Sequence, residues 1–407
     1  MNSWITKKIA DIADVVAGGT PSTNNSEFWN GDIGWITPAD LSGYKYRYIS
    51  NGDRNISNAG LNNSSACLLP KNTILLSSRA PIGYVAIAEK ELATNQGFKN
   101  LICDDTQVDY RFMYYWLQLN ADALKSFASG ATFPELSAGT VKKIKVTFPD
   151  ITTQNRIADV LFAYDELIEA NARRIELLEQ AAQELYREWF VRFRFPGYEN
   201  TEFEEGMPEG WKIKRIGDLF DITSSKRVYL ADYVDEGVPF YRSKEIIQLS
   251  QGQSITEPLY ISEESYQNFK NKYGVPEKND ILITSVGTIG VSYLVDDHEF
   301  YFKDGNLTWI KSGSNKAHAL FLFQWLNSQS GKQQLLQSTI GTSQSALTIE
   351  NLKKIKLLIP TKEIVEDYFN KTHAMLEQKR TLQLNNQNLV AQRDMLLPRL
   401  MSGKLEV

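Results

Sequence analysis

The chain has 407 residues, 42% hydrophobic and 23% charged, with 44 Lys and Arg against 49 Asp and Glu for a formal net charge of −5. That composition is ordinary for a soluble globular protein of roughly two to four domains, and no apolar run reaches the ~18 residues of a membrane helix. The acidic balance runs against the basic footprint of a nucleic-acid binder, although segregated charge can hide one.

At the N-terminus, "MNSWITKKIADIADVV" lacks a signal peptide's apolar core and cleavage site. Cys67 and Cys103 make no disulfide framework and read as small buried hydrophobes. Both features suit a reducing cytoplasm. "GYKYRYIS" at residues 43–50 alternates Tyr44, Tyr46 and Tyr48 with Lys45 and Arg47. Read as a strand, it turns an aromatic face to the core and a basic face outward. That basic face is either a phosphate clamp or a plain solvated edge. Short β-rich runs follow at 74–76, 85–87, 101–102 and 144–146, between clusters of Gly, Pro, Asn and Ser. One helix is expected at 110–124.

After Pro149 the period changes. Ile157, Leu161, Tyr164, Ile168, Asn171, Ile175, Leu178, Ala182, Leu185 and Trp189 step by four and three, a coiled-coil seam. A helix over 154–191 would be ~55 Å long. Near the C-terminus Tyr368, Met375, Leu382, Leu389 and Leu396 repeat every seven residues, and Pro398 is expected to end that helix. The economical arrangement pairs the two helices antiparallel, with Asn171 and Asn386 either setting register or tolerated at a wet seam.

The second half repeats the first. "LLPKNTILLSSRAPIGYVAI" from Leu68 returns as "GVPEKNDILITSVGTIGVSYL" from Gly274, pairing Asn72 with Asn279, Ile74 with Ile281 and Gly83 with Gly290. The offset is 207 (281 − 74), and it also pairs Trp4 with Trp211 and Asp11 with Asp218. "TVKKIKVTFP" meets "NLKKIKLLIP" at an offset of 211 (353 − 142). A unit this long is a duplicated domain rather than a solenoid repeat. The fold class is therefore α+β: two homologous α/β domains in tandem, separated by two long antiparallel helices forming a coiled coil. The expected boundaries are 1–150, a first helix at 151–193, a linker at 194–210, a second domain at 211–360, and a second helix with its tail at 361–407.

The framework repeats but the loops do not. "AGGTPSTNN" becomes "TSSKRVYL", "WITPADL" becomes "FYRSKEI", and "SSRAPIG" becomes "TSVGTIG". Twin scaffolds with unlike loops suggest two related, unequal ligands, with neutral drift as the competing explanation. Catalytic signatures are missing: there is no phosphate loop, no dinucleotide glycine pattern, and only three histidines (His298, His318 and His373), none in a metal motif. From the residues alone, a DNA-recognition protein stands beside an adaptor whose heads bind protein or carbohydrate. A self-sufficient methyltransferase or nuclease is disfavoured.

The ordered set of motifs resembles the DNA-specificity subunits of type I restriction–modification systems. It comprises "APIG" and "GTIG", "TNQG", "GATFPELSAGTVKKIKVTFPDITTQNRIADVL", "FRFPGYENTEF", "MPEGWKIKRIGDLF" and "LLPRLMSGKLEV", and spans essentially the whole chain. "PTKEIVEDYF" lacks the glutamine found at Gln154, and "TSSKRV" replaces the Gly-Gly-Thr-Pro turn. The resemblance implies two target-recognition domains, each reading half of a split DNA site. It implies no catalytic residue and no metal site on this chain. S-adenosylmethionine, ATP and Mg2+ belong to the implied partners: two methyltransferase subunits and a restriction subunit that translocates DNA. No membrane is involved. Candidate base readers are Gly19, Thr20, Ser78, Arg79, Asn95, Gln96, Lys99 and Thr132 in the first domain, with Lys45 and Arg47 as phosphate clamps. In the second they are Lys226, Arg227, Arg242, Lys244, Thr288, Lys303, Asn306, Ser343 and Gln344. Leu178, Leu185, Trp189, Leu389 and Leu396 are the candidate contacts to partner subunits.

Overall fold

The computed structural model describes residues 4–129, 134–341 and 345–407. Two compact units emerge, Met1–Ala170 with Asn388–Val407, and Asn171–Gln387. Each unit therefore holds one recognition-type head together with part of both long helices.

The first head contains β1 (Ile5–Lys8), β2 (Ala13–Ala17), β3 (Trp29–Ile36), β4 (Tyr48–Ile49), β5 (Arg54–Ile56), α1 (Asn58–Asn62), β6 (Ile74–Ser78), β7 (Ile82–Ala88), β8 (Ala93–Thr94) and β9 (Phe98–Cys103). It continues through α2 (Tyr110–Leu119), α3 (Ala121–Ser126), α4 (Ala138–Lys143) and β10 (Lys145–Phe148). The main sheet has the order β2-β9-β6-β7-β4; β5-β3-β8 form a second sheet, and β1 pairs antiparallel with β10. Every residue of β6 is buried: Ile74, Leu75 and Leu76 form an apolar run, and Ser77 and Ser78 satisfy their hydroxyls on the Pro81 and Gly97 carbonyls. Behind the sheet, Ile74, Leu76, Leu101, Phe112, Tyr115, Val146 and Phe148 form one core with Ile157 and Leu161 of the long helix.

Where one helix was expected at 110–124 there are two. Asp109 caps the first by accepting from the Arg111 N–H, and Asn120 ends it and begins the next. The expected strand at 43–50 is confined to Tyr48 and Ile49, and its predicted faces do not separate: Lys45 is exposed as expected, but Arg47 is buried and Tyr44 is exposed. Cys67 is exposed rather than buried, while the Cys103 thiol is pushed up to about 12 by burial.

The linker after the first long helix carries a hairpin of β11 (Phe203–Glu204) and β12 (Met207–Pro208). The second head contains β13 (Lys212–Arg215), α6 (Ile216–Leu219), β14 (Asp221–Thr223), β15 (Tyr233–Val234), β16 (Val238–Tyr241), α7 (Ser243–Ser250), β17 (Leu259–Ile261) and α8 (Glu263–Tyr273). It ends with β18 (Ile281–Thr284), β19 (Ser292–Leu294), β20 (Tyr301–Phe302), β21 (Leu307–Lys311), α9 (Lys316–Asn327), α10 (Gln329–Gln337), α11 (Ile349–Lys354) and β22 (Lys356–Ile359). Its sheets are β14-β21-β18-β19 and β15-β17-β16-β20, with β13 paired antiparallel to β22. The duplication is thus physical. Asn72 and Asn279 both take positive φ, 69° and 74°, and Gly83 and Gly290 do so at 101° and 87°. At these turns a side chain other than Asn or Gly would be strained.

α5 (Ile151–Tyr186) continues as a π-helical turn at Arg187–Val191, and α12 runs from Lys362 to Met401. Asp150 opens α5 by accepting from the Thr153 N–H at 3.0 Å. Gln154 is fully buried and ties the helix start to the head: its amide donates to the Gln107 and Pro149 carbonyls, and its oxygen accepts from the Asp109 N–H. The second copy has the fully buried, apolar Val365 there. All ten seam residues of α5 are buried or half-buried. Within the first unit Asp165 meets Arg393 at 2.5 Å, and Tyr164 meets Gln392. Within the second, Asn171 donates to Asn386 at 2.9 Å, Glu179 pairs with Lys379, and the Tyr368 hydroxyl donates to the Ala182 carbonyl. In the second unit the numbering falls along α12 as it rises along α5, so the pairing is antiparallel; in the first unit Arg156 reaching the Val407 carbonyl, against Asp165 reaching Arg393, gives the same sense. Pro398 does not end α12, which continues to Met401. A proline so near the helix end removes only one late hydrogen bond, while Leu397, Leu400 and Met401 gain burial in the first unit's core. Among the described residues, no helix is long and apolar enough to cross a membrane.

Candidate nucleic-acid interface

In the first head, β2 ends in a glycine pair that packs backbone against backbone. Gly19 is buried; its N–H donates to the Thr94 carbonyl at 2.9 Å, and its own carbonyl accepts from the Trp35 indole at 2.9 Å. A Cβ there would lie 2.2 Å from the Ser65 carbonyl carbon, so only glycine fits. Gly19 therefore shapes the loop instead of reading a base. Next to it Thr20 is exposed, and its hydroxyl bonds the Gln96 side chain. Asn95 accepts from the Gly97 N–H at 2.8 Å, holding the β8–β9 turn. Thr20, Asn95 and Gln96 thus share one polar patch with donors and acceptors suited to base edges.

A second cluster centres on Glu135, a residue with no sequence signal. Its carboxylate takes Lys99 at 2.9 Å and Arg79 at 3.7 Å, and Lys99 also donates to the Ser78 hydroxyl. Lys99 and Ser78 are buried, which corrects their assignment as base readers. They support the loop from within, because a buried lysine must keep its carboxylate partner. Arg79 and Glu135, with 39% and 37% of their side chains exposed, are the members that reach solvent. Arg47 is corrected likewise. It is 5% exposed, donates to both carboxylate oxygens of Glu169 and stacks over the Phe162 ring at 4.2 Å. Burial alone would lower its hold on the proton, but Glu169 outweighs that and raises it. A guanidinium so engaged cannot clamp a phosphate. Lys45 remains exposed.

In the second head, four predicted residues converge. Arg227, Arg242, Lys303 and Asn306 line an open cleft of about 750 Å³ with Tyr229, Tyr233, Leu259 and Asp304. Arg242 is held from below by Glu245, which accepts from its Nη2 at 2.6 Å and from its backbone N–H at 2.8 Å. Burial alone would raise the Glu245 carboxyl, but Arg242 reverses this and keeps it ionised at lower pH than usual. Arg227 bonds Asp304 at 3.0 Å and stays 66% exposed. Lys226, Lys244 and Thr288 are exposed but do not line the cleft, and Lys226 lies over the Tyr273 ring. Tyr229 and Leu230, at 66% and 83% exposure, are among the cleft residues missed from sequence. Their only signal was an apolar pair within a basic loop. Thr132, Ser343 and Gln344 lie outside the described residues.

Among the helix residues expected to meet partners, Trp189 is corrected. It is 5% exposed, packs 5.8 Å from the Tyr368 ring and belongs to the second unit's own core. Leu185 and Leu396 are half-buried on the cores of their respective units, and Leu178 and Leu389 are half-buried as well. The apolar helix residues turned outward are Leu167, Leu177, Leu384 and Met395.

Two α/β heads bearing unlike polar and basic clusters define a class of protein built for recognition. The family model for the type I restriction modification DNA specificity domain matches residues 1–180 and again 208–385. The MjaIX specificity subunit of Methanocaldococcus jannaschii is 35% identical over 99% of this chain and 94% of its own length. The MjaVIII specificity subunit of the same organism is 24% identical over 88% and 82%. Among solved structures, the S subunit from M. genitalium aligns with a TM-score of 0.63 at 18% identity, covering 98% of this chain and 96% of that one. The chain belongs to the specificity subunits of type I restriction–modification systems, with two target-recognition domains in tandem.

Proposed function

We propose that each head reads one half of a split, asymmetric sequence in the major groove of double-stranded DNA. The long helices set the unread gap and dock two methyltransferase subunits. Those subunits carry the S-adenosylmethionine chemistry, methylating an adenine in each half. A restriction subunit adds ATP- and Mg2+-dependent translocation and cleavage. The assembly works in the cytoplasm.

The observation that carries this reading is the contrast between twin scaffolds. One presents the neutral patch of Thr20, Asn95 and Gln96; the other presents Arg227, Arg242, Lys303 and Asn306 around a cleft. Arginine favours guanine O6 and N7, whereas Asn and Gln favour adenine. The two half-sites should therefore differ in base composition. The net charge of −5 is compatible with this if partner subunits share the phosphate contacts. Sequencing methylated sites in cells carrying the intact system should reveal two unlike half-sites separated by an unspecified gap. A single contiguous or palindromic site would refute the reading.

A further inference from the structure

The two heads meet the long helices by different chemistry at one repeated position. In the first head, β4 lies parallel on the outer edge of β7: the Ile87 N–H donates to the Arg47 carbonyl at 2.8 Å, and the Glu89 N–H to the Ile49 carbonyl. The Arg47 side chain then reaches Glu169 on α5 through both carboxylate oxygens, and the Arg47 backbone N–H donates to the same group at 2.7 Å.

In the second head, the residue equivalent to Ile87 is Leu294 (294 − 87 = 207), on β19. Among the described residues β19 is the outer strand of its sheet, with no strand in the place of β4. The helix position equivalent to Glu169 is Arg380 (380 − 169 = 211). Its Nη2 donates to the Leu294 and Val295 carbonyls, both at 3.0 Å, while Nη1 pairs with Glu377. The charge at the helix position has reversed. In one copy a carboxylate grips the arginine just before the edge strand; in the other an arginine grips backbone carbonyls at the end of the edge strand itself.

We propose that Glu169 and Arg380 are positioning residues: each bolts the end of its head's central sheet to the adjoining stretch of helix and so fixes the angle at which that head meets DNA. The idea rests on the two-half-site reading above. Both grips are multidentate and shielded, with Arg47 at 5% and Arg380 at 18% side-chain exposure. Two parallel hydrogen bonds hold direction as well as distance, which apolar packing does not. A head free to tilt would accept DNA with its half-sites at the wrong spacing.

The test uses the full chain co-expressed with its methyltransferase subunits. Methylation is counted at sites with the native gap and at sites one base pair longer or shorter. An Arg47→Met/Glu169→Met double variant removes the first bolt without stranding a buried charge, a replacement that usually preserves folding. Arg380→Met removes the second, and Arg380→Lys keeps a donor for the two carbonyls. The off-gap share should rise about fivefold in both Met variants, equivalent to ~1 kcal/mol of lost discrimination, with Arg380→Lys holding the wild-type ratio. Methylation that falls equally at every gap, or an unchanged ratio, would overturn the proposal by showing the contacts to be merely structural. A wild-type complex indifferent to gap length would instead sink the two-half-site reading, and the bolts with it.

Discussion

Arg227 and Arg242 line the same cleft but differ in what removing them would expose. Arg242 neutralises Glu245, which is 1% exposed, so Arg242→Ala would leave a buried carboxylate without its partner and damage the fold along with the surface. Arg227 pairs with Asp304 at the rim and is 66% exposed. Arg227→Ala is therefore the cleaner probe. It should relax one position of the second half-site at a cost of ~1–3 kcal/mol if the contact to guanine is bidentate, while leaving the first half-site and the melting temperature unchanged. Competition binding of the assembled complex to oligonucleotides varied at each half-site would measure this. Residue by residue, the sequence exposed the chemical type of the loops but not which side chains point inward. The burial of Lys99 and Arg47 was not legible because the carboxylates that make it tolerable, Glu135 and Glu169, lie 36 and 122 positions away. No local pattern announces such pairs.

The long helices were readable because a seam with a period of three and four survives wherever two helices pack. Their ends were not. α5 widens at its end into a π-helical turn that brings Trp189 and Phe190 against Tyr368, Phe321 and Trp211. The heptad pattern placed Trp189 on the seam but could not reveal that the head also closes over it. Trp189→Ala should cost about 3–5 kcal/mol, the range for a large buried aromatic. Denaturant unfolding of the purified chain should show the loss. A change under 1 kcal/mol would mean the turn repacks without it. The stop expected at Pro398 failed for the complementary reason: burial of Leu400 and Met401 outweighs one missing hydrogen bond.

Across the molecule, duplication made the architecture legible, since two imperfect copies act as a check on each other. Paired positions such as Asn72 with Asn279 and Gly83 with Gly290 share backbone conformation as well as identity. What the copies do not share, including the fifth strand of the first head's main sheet, could not be inferred from either one. The proposed ruler role of the helices also belongs to this scale. Inserting one heptad after Ala170 and one after Gln387 preserves the antiparallel register, because Asn171 and Asn386 lie beside those points. Each insert adds ~10 Å of helix, which corresponds to about three base-pair steps. The permitted gap should lengthen accordingly in a methylation assay on a library of spacers, and an unaltered gap would refute the ruler.

The grip of Glu169 on Arg47 also bears on how such a protein could acquire a new address. A foreign first head grafted at residue 150 would face this chain's Glu169 whether or not its own edge carried an arginine to meet it. Successful exchange should cut inside the helix, beyond residue 169, so that lock and key travel on one fragment.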